Sequence, residues 1–229
     1  VIMHTAGHRL RAKLEFTAPV VVAAAERLWT NPRVREIYPV YLTTMHMIAR
    51  AAVPLMQAAC ERARERAEHD PLAEPIVDFL INHIEELLGR DALLLEDLAA
   101  TGADPELPLQ AIPSPKVASL VGAHYYWVHH HHPIAVLGYV AAIETYPPPL
   151  GFTERLRERT GFPKAAYRTI ARRELTDPQR GCDLYELMDT LPLNRRHETL
   201  IGLSALHTVH AGVDVLEEIH DRVTQRPGS

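Results

Sequence analysis

Apolar residues recur at spacings of three and four through almost the whole chain, and prolines cut that rhythm into segments. Over residues 34–68 the series Tyr38, Leu42, Met45, Ile48 and Leu55 keeps a helical period on both sides of Pro54. That pattern predicts a kinked helix, not a broken one. Asn31-Pro32 ahead of it reads as an N-cap with proline in the first helical position, after a short apolar helix over 20–29. A second long helix is expected over 72–98, ending where Gly102 suits a C-cap. The proline-rich stretch 103–115 predicts loop. Helix resumes over 116–131, breaks at Pro133, continues to 146 and stops hard at Pro147-Pro148-Pro149. Shorter helices over 153–160, 164–174 and 178–190 precede a long amphipathic helix over 195–223. No segment sustains a period of two with turn chemistry between strands. The expected fold is all-α, about seven to eight helices packed as one bundle.

A chain of 229 residues is long enough to bury a core. Residues 1–16 read as a flexible arm without the apolar core of a signal peptide. Residues 17–223 read as a single domain, and 224–229 as a disordered tail. The net charge of -5 gives no footprint for nucleic acid or for an acidic membrane surface. No apolar run approaches the roughly 20 residues that span a bilayer. Two cysteines, Cys60 and Cys182, are too few for a disulfide framework and suit a reducing cytosol, so a cytoplasmic protein is expected. Gly-rich phosphate loops, a G-x-S-x-G elbow and paired C-x-x-C are all missing.

Three stretches carry a resemblance. They are His83-Ile84-Glu85-Glu86-Leu87-Leu88-Gly89-Arg90-Asp91, then Gly138-Tyr139 through Glu144, then Arg173-Glu174-Leu175-Thr176-Asp177-Pro178-Gln179-Arg180. They resemble the heme-oxygenase-like di-iron oxidases, or iron-containing redox enzymes, and the likeness runs from about residue 28 to 219. It implies a heme-oxygenase-like helical bundle, in agreement with the periodicity. It also implies that Leu87, Arg90, Glu144, Arg173, Asp177 and Arg180 stand where that family places iron ligands. Only two acids survive in this set. Arginine has five donors, no lone pair to offer and a proton it does not release, so it repels a metal ion. Arginines reaching Glu86, Glu144 and Asp177 would instead replace the missing cation. The resemblance therefore argues for the fold and against the family's chemistry.

His83, Glu86 and Arg90 fall at i, i+3 and i+7, one face of a continuous helix. Glu144 follows Leu137, Val140 and Ile143 in an apolar segment and needs a cationic partner. Asp177-Pro178 could serve as a helix cap as well as a pocket group. His46, among Met45, Met47 and Ile48, is a further candidate to line the interior, with Arg50 one turn on. The run His129 to His132 cannot converge on one ion, because adjacent helical side chains point about 100 degrees apart. A structural or surface role fits it better.

Three functional readings follow. The first is a metal-independent protein that takes a small anionic molecule between Arg90, Arg173 and Arg180, with Glu144 as a candidate base and no cofactor. The second is a non-catalytic partner of an active paralogue, in which the arginines only neutralise old ligand positions. The third is an iron-dependent oxidase with relocated ligands drawn from His207, His210, Asp214 and Glu217 on the last helix, where Glu217-x-x-His220 matches a carboxylate-bridged metal pattern. A homodimer is the expectation from fold analogy.

Overall fold

Proline, glycine and short polar residues mark most helix ends, as a computed structural model describes for residues 5–175 and 178–225, with the backbone alone over 178–182. The order is α1 (Ala6–Trp29), α2 (Val34–Arg64), α3 (Ala73–Leu87), α4 (Arg90–Ala100), α5 (Leu107–Gln110) and α6 (Pro115–His130). Then come α7 (Ala135–Thr145), α8 (Phe152–Thr160), a 3-10 turn (Lys164–Tyr167), α9 (Arg168–Glu174), α10 (Pro178–Thr190) and α11 (Arg195–Thr224). The described residues contain no strand. The all-α expectation holds, with more and shorter helices than the sequence suggested.

Two of the differences have clear causes. The expected helix over 72–98 is divided because Gly89 adopts φ 76, a left-handed conformation that glycine takes without steric cost. α3 stops at Leu87 and Arg90 opens α4, so His83, Glu86 and Arg90 do not share one helix face. The expected flexible arm over 1–16 is also corrected, since α1 runs from Ala6 with Leu10 and Leu14 buried. Thr5 caps its start, and Asp189 of α10 accepts the Gly7 amide at 2.7 Å. Tyr146 donates to the Leu14 carbonyl. Of the expected arm, residues 1–4, and of the expected tail, residues 226–229, lie outside the described residues.

α2 runs unbroken through Pro39 and Pro54. Its start is two residues later than expected, because Asn31 Oδ1 accepts the Arg33 amide at 2.8 Å and makes a turn ahead of the helix. α6 begins as the sequence suggests, with Ser114 Oγ accepting the Val117 amide beside Pro115. At α11, Asn194 and His197 cap one another reciprocally.

α7 is the axis of the molecule. Ala135 through Ala142 are all buried, and the helix packs on α11, α6, α10 and α2. The approach to α11 is close: a Cβ on Gly138 would stand 2.2 Å from the Ile201 carbonyl oxygen and 2.7 Å from the Ala205 amide. Around this axis lies the larger apolar cluster, from α1, α2, α3, α6, α7, α10 and α11. A smaller cluster joins α2, α4, α8, the 3-10 turn and α9 through Tyr38, Leu94, Leu98, Leu156, Tyr167 and Ile170, and Tyr41 and Trp29 pack against both. α11 is the one helix among the described residues long and apolar enough to cross a membrane, and half of its most apolar window is buried against other helices, as in a core helix.

Candidate functional site

α4 is held in place by buried polar bonds at both ends. Near its end, Asp97 is fully buried and accepts the Thr169 amide at 2.8 Å and Arg168 Nε at 3.1 Å. These bonds dock α9 on α4. At its start, buried His46 reaches the Asp91 carbonyl at 3.1 Å through Nδ1, so Nδ1 carries the proton. Nε2 of His46 is buried with no hydrogen-bond partner among the described residues. The two anchorages bring Arg90 at the head of α4 near Arg172 and Arg173 on α9.

The arginines meet the end of α7. Arg173 Nη2 donates to the Ile143 carbonyl at 2.8 Å, one of the last carbonyls of α7 that the helix itself leaves unpaired. Next along the chain, Glu144 Oε1 lies 3.5 Å from His83 Nδ1, with both side chains largely buried. His83 in turn stacks on Phe79, with ring centroids 5.8 Å apart. Burial lowers the Arg90 pKa, Arg173 and Arg172 lower it further, and Glu144 and Glu86 oppose them. Arg90 makes no hydrogen bond or close ion pair to any described residue.

Two tyrosines complete the centre. Burial raises the Tyr41 hydroxyl while Arg173 pulls it down. Tyr139 is pushed up to about 12 by burial, against the same pull from Arg90 and Arg173. Both phenols therefore stay protonated at neutral pH and can donate. The centre combines cationic guanidinium, phenolic donors and one acid beside a histidine. It can hold an anion by charge-assisted hydrogen bonds and place a proton carrier beside it.

Arg90, Arg173, Glu144, His83 and Glu86 thus act on one another across α3, α4, α7 and α9. Asp177 lies outside the described residues, as do the side chains of Arg180 and Cys182. Leu87 packs against the larger apolar cluster, and Arg50 donates to the Pro108 carbonyl at 3.4 Å.

The alternative metal set does not assemble. His207 reaches the Ser119 carbonyl at 3.1 Å, and His210 is 81% exposed with Asp214 at 3.8 Å. Glu217 faces Arg27 at 3.9 Å, while His220 faces Asn31 and Asp221. Among the described residues no three His, Cys, Asp or Glu side chains are placed to share an ion. At the arginine centre the donor set is no better, since cationic guanidinium stands where lone pairs are needed. The described residues of neither set fit an iron site.

Sequence reasoning missed Tyr41, Tyr139, Arg172 and Asp97. Tyr139 stood inside a quoted stretch and Arg172 beside another, so both were within reach. It also missed His124, fully buried between α6 and α11, where Ser204 Oγ meets Nδ1 at 3.2 Å and Thr208 Oγ1 meets Nε2 at 3.0 Å. The histidine run splits as well: His129, His130 and His131 are exposed, whereas His132 is buried against Asp70 at 2.7 Å.

No family profile and no curated protein matches the chain. Among solved structures it is similar to a domain of unknown function with a heme oxygenase-like fold from Shewanella denitrificans, at TM-score 0.77 and 14% identity over 96% of this chain and 95% of that one. It is also similar to a TenA homolog from Pseudomonas syringae, at TM-score 0.63 and 12% identity over 90% and 91% of the two chains. At these identities the likeness speaks for the fold alone, and the chain has a heme oxygenase-like fold.

Proposed function

We propose that this protein binds a small anionic metabolite at the arginine centre without a metal, as a divergent relative of the heme-oxygenase-like iron-containing redox enzymes. The observation that carries the reading is Arg90. Its guanidinium is drawn into the helix packing beside two further arginines, and no described residue hydrogen-bonds or closely pairs with it. A partly desolvated cation without a partner is costly. A carboxylate or phosphate would remove that cost and accept two parallel bonds from the planar guanidinium. Glu144 and His83, 3.5 Å apart, are the pair that would hold and pass a proton if the bound molecule is turned over.

Arg173 favours the second reading for its own position, because its bond to the Ile143 carbonyl gives it a structural task. Arg90 has no such bond, which is why ligand binding stands ahead of a purely non-catalytic partner role.

Elemental analysis after anaerobic reconstitution with ferrous iron and removal of loosely held ion tests metal independence. The expected result is iron far below one equivalent per chain. One or two equivalents, lost on His207→Ala or His210→Ala, would overturn the proposal and restore an oxidase.

A further inference from the structure

At the opposite end of α7 from the arginines, the turn after α2, the end of α6 and the start of α11 enclose a half-open cleft of about 440 Å³. That volume is within the range of small-molecule sites. The eleven residues of α7 put about 16 Å between its two ends, so the cleft is separate from the arginine centre.

The base of the cleft is rigidly built. His132 is 7% exposed, its Nε2 lies 2.7 Å from Asp70 Oδ2, and its Nδ1 accepts the Ile134 amide at 3.1 Å. The Nε2 proton is therefore given to Asp70. Asp70 Oδ1 accepts the Leu72 amide at 3.0 Å. Burial pushes the Asp70 carboxyl up, but the Leu72 amide and His132 outweigh it and hold the group below the ordinary carboxylate range.

Above this base stand the donors Arg66, Arg196 and Trp127. Arg66 touches Asp70 only loosely, at 3.6 Å. Arg196 makes no hydrogen bond or ion pair to any described residue, and the Trp127 indole N–H donates to none. Two acceptors nearby are engaged: Asn194 Oδ1 takes the His197 amide at 2.9 Å and His197 Nδ1 takes the Asn194 amide at 3.4 Å. The remaining wall is apolar, formed by Trp127, Leu200 and Leu203, and Leu203 is 53% exposed. Unused guanidinium calls for an acceptor anion, while the Trp-Leu wall gains by covering an apolar body.

We propose that this cleft is a second binding site, taking a small carboxylic acid with an aromatic or branched apolar body. Inorganic anions would leave the apolar wall uncovered, and neutral aromatics would leave Arg196 unanswered.

Calorimetric titration of the intact protein with 2-naphthoate, 2-naphthol and inorganic phosphate tests this. Naphthoate is expected to bind saturably and about tenfold or more tighter than naphthol, with phosphate a poor competitor. Arg196→Gln, an exposed change that leaves the helix content intact by circular dichroism, is expected to weaken naphthoate about tenfold or more. Leu203→Ala should weaken it less, and the Arg196-dependent binding should persist in Arg90→Met, where the arginine centre is disabled, which separates the two sites. Equal affinity for the acid and the alcohol, loss of binding in Arg90→Met instead of Arg196→Gln, or no saturable binding would each overturn the proposal.

Discussion

The His124 centre and the Arg90 centre both adjoin Tyr139, and they treat buried polarity in opposite ways. The His124 ring meets Tyr139 edge-on at 4.9 Å, and both of its nitrogens are occupied by the hydroxyls of Ser204 and Thr208. Thr208 also donates to the Ser204 carbonyl at 2.8 Å, so the network closes on itself. Arg90, by contrast, carries a full charge and no hydrogen bond to a described residue. A closed neutral network specifies how two helices pack. An unanswered cation leaves a site that a ligand can complete. The difference separates a structural centre from the one proposed to bind a ligand, without reference to any related protein.

The largest effect should come from breaking the closed side. His124→Ala leaves a cavity and two buried hydroxyls with fewer partners, and should cost about 3 kcal/mol. That lowers Tm by about 6–12 °C, read by calorimetry. An unchanged Tm would mean that the network is not structural.

On the open side, Arg90→Met should weaken binding of an anionic ligand about 10- to 100-fold, the worth of a hydrogen bond to a charged group. Without ligand the same variant should be as stable as the parent or up to about 1 kcal/mol more so, because a costly buried charge is gone. A large loss of stability in the ligand-free variant would show that Arg90 is already fully partnered.

The pH dependence sharpens the contrast. Burial lowers His124 from its ordinary 6.5 to about 3. As pH falls below about 6.5 the unfolded chain takes up this proton first, so the folded state loses stability down to about pH 3. The slope from this one group is about 1.4 kcal/mol per pH unit. Denaturant melts across pH 4–7 should show that component in the parent and lack it in His124→Gln. The smallest effect is expected for Arg173→Gln, which removes the donor to the Ile143 carbonyl and should cost about 1 kcal/mol by frayed packing at the end of α7.

The helices were legible wherever proline, glycine or a capping residue ends them, as at Ser114-Pro115, Gly102 and Asn194. The division at Gly89 was missed because the apolar period continues on both sides of it and the break lies in a single φ angle. The first turns of α1 were missed for another reason. Only Leu10 and Leu14 mark an apolar face there, and the partners that fix the segment, Asp189 and Tyr146, are more than a hundred residues away. In the candidate site, the resemblance supplied Arg90, Arg173 and Glu144, whereas periodicity supplied none of their mutual placement. Placement depends on Asp97 docking α9 and His46 holding α4, through three tertiary bonds with no local pattern. His124 was illegible because a lone histidine among apolar residues reads the same whether its nitrogens are satisfied or not.

The most direct measurement compares the melting temperature of the parent and Arg90→Met in metal-free buffer, titrated with phosphate, oxalate and succinate. The account predicts that at least one of these raises Tm of the parent with concentration, by about 5–11 °C at a hundredfold excess over its dissociation constant, and barely moves the variant. No shift in the parent with any of the three, or equal shifts in both proteins, would contradict it.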